Sequence, residues 1–139
     1  MSKSEERLIH ALHNEKVCKY LDKKPEHSDW VITSAFYASL HFVSYLLFPL
    51  KVKAGENVTE YVSINAYYPV FNRTSIFKLS LHSLLCHLLE KNHQEIADDY
   101  ALLLDYSKQS RYLNHQFDRE VSNAAKRRLE RIKEYCLKN

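Results

Sequence analysis

Apolar residues recur along the chain in stretches whose period is mostly that of a helix. From Ser4 to about Lys23 they fall at Leu8, Ile9, Leu12, Val17, Tyr20 and Leu21, near a 3.6-residue repeat, with Glu and Lys between them. Pro25 closes that first helix, and Ser28-Asp29 offers an N-cap with an acidic first turn for the run from Trp30 to Phe48. This second stretch is apolar nearly all round, as a helix at the centre of a bundle is. It carries Thr33, Ser34, Ser39, His41 and Ser44, which argues for a buried core helix rather than a membrane span. A third helix, capped by Asn72 or Thr74 and running to about Lys91, is expected to present Ile76, Phe77, Leu81, Leu84, Leu85, Leu88 and Leu89 and to pair antiparallel with the second. A fourth runs from near His93 to about Tyr112 through Ile96, Tyr100, Leu103 and Leu104. Asn114-His115-Gln116 is the natural break before the last helix, Asp118 to Leu137, with Val121, Ala124, Ala125, Leu129, Ile132 and Tyr135 on one side.

Between the second and third helices, positions 49–72 lack a clear period and read as a long connection with a short irregular element. The expected architecture is therefore all-α: one domain spanning 1–139, a single up-and-down helical bundle of about five helices. Composition narrows the alternatives. A chain of 139 residues with a single Gly and three Pro has few positions able to take positive φ, which disfavours an all-β sandwich, a Gly-rich phosphate loop and a dinucleotide fingerprint. The formal charge of +3 decides little, but its distribution is uneven. Glu90 to Asp105 is acidic, whereas Arg119 to Asn139 holds seven basic residues against Glu120, Glu130 and Glu134. The last helix then has two readings: a solvated face with Glu130 and Glu134 paired to basic neighbours at i, i+3 and i+4, or a phosphate-contacting face built on Arg127, Arg128 and Arg131.

Three well-separated cysteines, Cys18, Cys86 and Cys136, suit a reducing interior, and the charged N-terminus lacks the apolar core of a secretory signal. A cytoplasmic protein is expected. Eight histidines raise the question of metal. His10 and His13 at i, i+3, and His82 and Cys86 at i, i+4, are pairs that could converge on one ion, but two ligands do not make a site, so neither metal nor cofactor is expected. His41, within the apolar second helix, needs a hydrogen-bond partner such as Tyr or Ser on a facing helix.

The sharper constellation is Ser107-Lys108-Gln109-Ser110-Arg111-Tyr112-Leu113-Asn114-His115. If helical geometry continues through it, Arg111 and His115 stand one turn apart, a guanidinium and an imidazole within reach of one phosphodiester. Arg111 would neutralise charge developing on phosphate, and His115 could move a proton from a ribose 2′-hydroxyl or to the leaving oxygen. The structural alternative pairs Arg111 with Asp105 or Asp118 and leaves His115 in a turn.

Asp29-Trp30-Val31-Ile32-Thr33-Ser34-Ala35-Phe36-Tyr37-Ala38-Ser39-Leu40-His41, followed by Tyr106-Ser107-Lys108-Gln109-Ser110-Arg111-Tyr112, resembles the HEPN-type helical bundles. The first segment is similar to a central helix with an aromatic-Ala-x-x-His core, the second to the end of the long helix that follows. The resemblance implies a dimerising bundle from toxin–antitoxin, RNA-processing or antiviral defence systems, many members being metal-independent ribonucleases. It implies Arg111 and His115 as catalytic residues; Tyr112 and Asn114 beside them, and Arg127, Arg128 and Arg131 of the basic last helix, are expected to bind substrate. The family motif places four to six residues between Arg and His; here there are three, and Tyr112 stands where a polar residue usually follows the Arg. Implied partners are a second copy of the chain, RNA and a protein from the same operon, with no membrane. The alternative function is a catalytically inactive interaction or regulatory module, or a nucleotide-binding bundle.

Overall fold

The structure is a computed structural model that describes residues 1–110 and 119–139. Six α-helices and one small β-hairpin make up those residues: α1 (Lys3–Leu21), α2 (Ser28–Leu47), β1 (Leu50–Ala54), β2 (Asn57–Tyr61), α3 (Ile64–Thr74), α4 (Leu81–Asn92), α5 (Gln94–Lys108) and α6 (Arg119–Lys138). A capping box starts α1: the Ser2 hydroxyl accepts from the Glu5 amide at 3.1 Å while the Glu5 carboxylate accepts from the Ser2 amide at 3.0 Å. A short 3-10 turn over Pro25–His27 links α1 to α2.

α2 is the central helix. It packs most extensively on α1, then on α6 and α5, and buries Val31, Ile32, Ala35, Phe36, Ala38, Phe42 and Val43 completely. By length and composition α2 could cross a membrane, but most of it is enclosed by these neighbours. Its buried hydroxyls use the helix itself. Thr33 donates to the Asp29 carbonyl at 3.0 Å, Ser34 to Trp30 at 2.7 Å and Ser39 to Phe36 at 2.7 Å, so polar atoms sit in an apolar core without an unmet partner. Trp30, expected inside, is exposed.

Two corrections concern the middle of the chain. The 49–72 connection is ordered: β1 and β2 pair antiparallel in the register Leu50↔Tyr61 to Ala54↔Asn57, closed by a two-residue Gly55-Glu56 turn. Gly55, the one glycine, has φ of 63°, as the first central position of a type II′ hairpin turn requires. The expected third helix, moreover, is not continuous. Asn72 and Thr74 end α3 rather than capping a new helix, because Ser63 starts α3 upstream, accepting from the Ala66 amide at 3.1 Å. The Asn72 side chain instead clasps Leu79, accepting from its amide and donating to its carbonyl, each at 3.1 Å, which turns the chain before Ser80 caps α4. Ile76 and Phe77, expected on the core face, lie in this turn, 94% and 72% exposed. Nor do the second and third helices form the central hairpin, since α4 packs chiefly on α5 and α3. An aromatic chain joins these parts: Tyr61 to Tyr67 at 4.9 Å between ring centroids, Tyr67 to Phe71 at 6.0 Å and Phe71 to His87 at 5.7 Å.

α6 closes the bundle with Ser122, Ala125, Leu129, Ile132 and Cys136 buried at a 3,4,3,4 spacing. Its cations dock on acids of other helices: Lys126 on Asp22 at 2.5 Å, Lys133 on Glu15 at 3.0 Å, and Arg128 on Asp99 at 2.9 Å. The expected pairing with Glu130 and Glu134 along α6 is absent among the described residues, because the cations reach carboxylates of α1 and α5 brought beside them by packing.

Candidate functional site

Arg111, Tyr112, Asn114 and His115 lie outside the described residues. What is described are the ends of the segment that holds them. α5 ends at Lys108, and the Gln109 amide donates to the Asp105 and Tyr106 carbonyls. There the buried Ser110 hydroxyl donates to the Asp29 carbonyl at the start of α2, at 3.0 Å. On the other side, the Arg119 guanidinium donates to the Asp22 carbonyl at 2.8 Å and pairs with the Asp22 carboxylate at 3.3 Å. Both ends of the segment are thus held at the corner where α1 passes into α2.

The other three sequence-derived residues come together. Arg127, Arg128 and Arg131 line one depression of about 150 Å³, with Ala124 as its floor. Asp99 of α5, 2% exposed, organises it: one carboxylate oxygen meets Arg128 Nη1 at 2.9 Å and the other meets Arg131 Nε at 3.4 Å. A single carboxylate shared by two guanidiniums leaves an excess of positive charge, and it locks planar donor forks in place. Arg127 is exposed and carries no ion pair among the described residues. Arg128 Nε is buried without a hydrogen-bond partner.

A second concavity had no counterpart in the sequence reading. About 340 Å³ of space opens between α1, α2 and the start of α3, lined by Lys3, Glu6, Arg7, His10, His41 and Ser44 among others. His10 and His41 stack with ring centroids 5.2 Å apart and 24° between planes. The ring against His41 is therefore an imidazole of α1, not the Tyr or Ser expected. Burial, and then the neighbouring His10, hold the His41 imidazole below its ordinary range. The Arg7 guanidinium sits 5.7 Å over the Phe48 ring and donates to the Val62 carbonyl. Burial lowers its pKa as well, against the opposing effect of Glu6, and it has no carboxylate partner among the described residues. The available signal was the i, i+3 spacing of Arg7 and His10 on one face of α1, but only the α1–α2 packing brings His41 to that face.

The two candidate metal pairs stay incomplete. His82 lies edge-on to Phe36 at 5.4 Å, and burial pushes the Cys86 thiol up to about 11. Among the described residues no group of three or more His, Cys, Asp or Glu side chains is placed to hold a metal ion. Comparison with protein-family models, curated proteins and solved structures finds no match to the chain.

Proposed function

We propose that the protein is a HEPN-like RNA-binding protein that grips the phosphate backbone with the arginines of α6 and cleaves RNA without metal through Arg111 and His115. The observation carrying this reading is the convergence of Arg127, Arg128 and Arg131 on one phosphate-sized depression, with two of the three guanidiniums pre-positioned by Asp99. Arg127 lies about 12 Å along α6 from Arg119, where the segment bearing Arg111 and His115 rejoins the described fold. In the reaction, the ribose 2′-oxygen attacks the adjacent phosphorus while a base takes its proton, the 5′-oxygen leaves with a proton, and a 2′,3′-cyclic phosphate remains. His115 moves one of those protons, and Arg111 balances charge on the equatorial oxygens. A second copy of the chain supplies a second Arg and His across a symmetric dimer. The protein acts in the cytoplasm, with a partner from its own operon, in a toxin–antitoxin or defence setting.

The test is cleavage of labelled mixed RNA in EDTA by the native protein beside the Arg111→Ala/His115→Ala double variant. Cleavage by the native protein alone, leaving cyclic ends, supports the reading; equal cleavage by both sinks the assignment of these residues. Binding is tested separately. Arg127→Ala should weaken single-stranded RNA binding and flatten its dependence of log affinity on log salt by about 0.7. An unchanged slope would remove Arg127 from the interface.

One observation favours the catalytically inactive interaction module as a second reading: adjacent Ile76 and Phe77 stand almost fully exposed in the α3–α4 turn. Under that reading, replacing both by Ser abolishes capture of the operon partner and leaves RNA binding intact.

A further inference from the structure

The cleft between α1, α2 and α3 is remote in character from the α6 depression. Its cations are not consumed by neighbouring carboxylates. A guanidinium offers five N–H donors, and here the contacts of Arg7 are one backbone carbonyl and the face of Phe48. Lys3 lines the same space, and Glu6 is the one carboxylate that does. Ser63, Ile64 and Asn65 form the opposite wall, at the first turn of the 11-residue α3. Ser63 satisfies the Ala66 amide there, while the helix dipole adds positive potential facing the cations. Leu40, Phe48, Ile64 and Leu81 supply an apolar side. The space is at the lower end of the range for small-ligand sites, roughly 300–1,000 Å³.

We propose that this cleft binds a small phosphomonoester, its phosphate held by Arg7 and Lys3 against the stacked His10 and His41, and its organic part lying on the apolar wall. The proposal stands independently of the α6 reading, since it uses none of the same residues. Unliganded, His41 resists protonation, first because it is partly enclosed and then because the His10 ring is stacked on it. A bound dianion reverses that balance at His41, because its imidazolium then faces two negative charges. The groups that face the pair are Lys3, Glu6 and Arg7 from α1, Ser44 from α2, and Ser63 and Asn65 from α3. Of these only Glu6 opposes the anion. Binding should therefore be accompanied by proton uptake and should tighten as pH falls.

Such a phosphate could belong to a free metabolite or to the end of an RNA strand. Calorimetry on the full chain separates them, with ribose 5-phosphate as one probe and matched short RNAs bearing a 5′-phosphate or a 5′-hydroxyl as the others. Ribose 5-phosphate should bind several-fold more tightly near pH 6.5 than near pH 8, the gain limited below that by the second ionisation of the phosphate itself near ~6, with heats that vary with the ionisation enthalpy of the buffer as proton uptake demands. Arg7→Gln should weaken binding by about ten-fold or more, and His41→Asn should remove most of the pH dependence. A preference of about ten-fold for the 5′-phosphorylated RNA over the 5′-hydroxyl RNA supports the site with a strand end as its occupant. Ribose 5-phosphate binding without that preference supports it with a free phosphomonoester. No binding of any phosphorylated probe near pH 6 by folded protein would overturn the proposal, as would Arg7-independent affinity. Should Arg7→Gln fail to fold, the exposed pair Lys3→Gln/His10→Asn provides the same test, and unaltered affinity in that variant overturns it equally.

Discussion

Asp99→Asn is expected to lower the stability of the protein and raise its affinity for RNA together. Asp99 is 2% exposed, and its oxygens meet Arg128 at 2.9 Å and Arg131 at 3.4 Å. The gross attraction of a charge pair about 4 Å apart near a protein surface is ~4 kcal/mol, but most of it offsets the desolvation of the charges. For Arg128, whose side chain is 26% exposed, a charge-assisted hydrogen bond nets about 1.5–3 kcal/mol. The Arg131 side chain is 66% exposed, so its pair is screened and contributes less than about 1 kcal/mol. Asparagine preserves volume and one acceptor oxygen, which brings the expected loss to about 2 kcal/mol, or a Tm lower by roughly 4–8 °C. At the same time the depression of Arg127, Arg128 and Arg131 loses its one carboxylate, so its attraction for phosphate rises and the salt slope of RNA binding steepens by up to about 0.7. Urea unfolding reads the first effect, and fluorescence titration of labelled RNA at several salt concentrations reads the second. A variant within about 0.5 kcal/mol of the parent would refute the assigned worth of the pair. RNA affinity that falls with stability would refute the claim that charge, rather than the positioning of the guanidiniums by Asp99, governs the interface.

Three further outcomes are expected. Ile132→Ala, at a fully enclosed position of α6, should cost about 2–5 kcal/mol in urea unfolding through lost burial and the cavity left behind. Gly55→Ala meets open space but must adopt φ of 63°, so it should cost about 1 kcal/mol, and Gly55→Asn less, because Asn tolerates that region; equal stabilities would remove the turn assignment. Burial pushes the Cys86 thiol up to about 11 and that of Cys136 up to about 12, above the unfolded value. Each group therefore binds its proton more tightly when folded, and stability should fall as pH rises from about 9 toward 11, whereas Cys86→Ala/Cys136→Ala should flatten that decline.

Much of the helical content was legible. The 3.6-residue period of α1 and α6, and the continuous apolar run of α2 ended by Pro49, are properties of local sequence that packing accepted almost unchanged. The hairpin was not, although Leu50-Lys51-Val52-Lys53-Ala54 alternates apolar and polar as a strand does, because its partner Asn57-Val58-Thr59-Glu60 is exposed throughout and shows no buried face. The break between α3 and α4 was hidden for the opposite reason. Ile76 and Phe77 continue an apolar pattern in sequence, but the Asn72 clasp on Leu79 turns the chain and leaves both outside.

The candidate sites divide along the same line. Sequence alone determined that α6 would be a basic amphipathic helix and that Arg127, Arg128 and Arg131 would lie near one another, because three and four residues along a helix return to one face. Only the tertiary structure decided which carboxylates those cations meet, since Asp99 is 29 positions from Arg128 and reaches it through the packing of α5 on α6. The stack of His10 on His41 was likewise invisible locally. A one-dimensional pattern fixes which face of a helix is apolar, whereas the polar groups that meet across two faces depend on the rotation and register at which the helices settle.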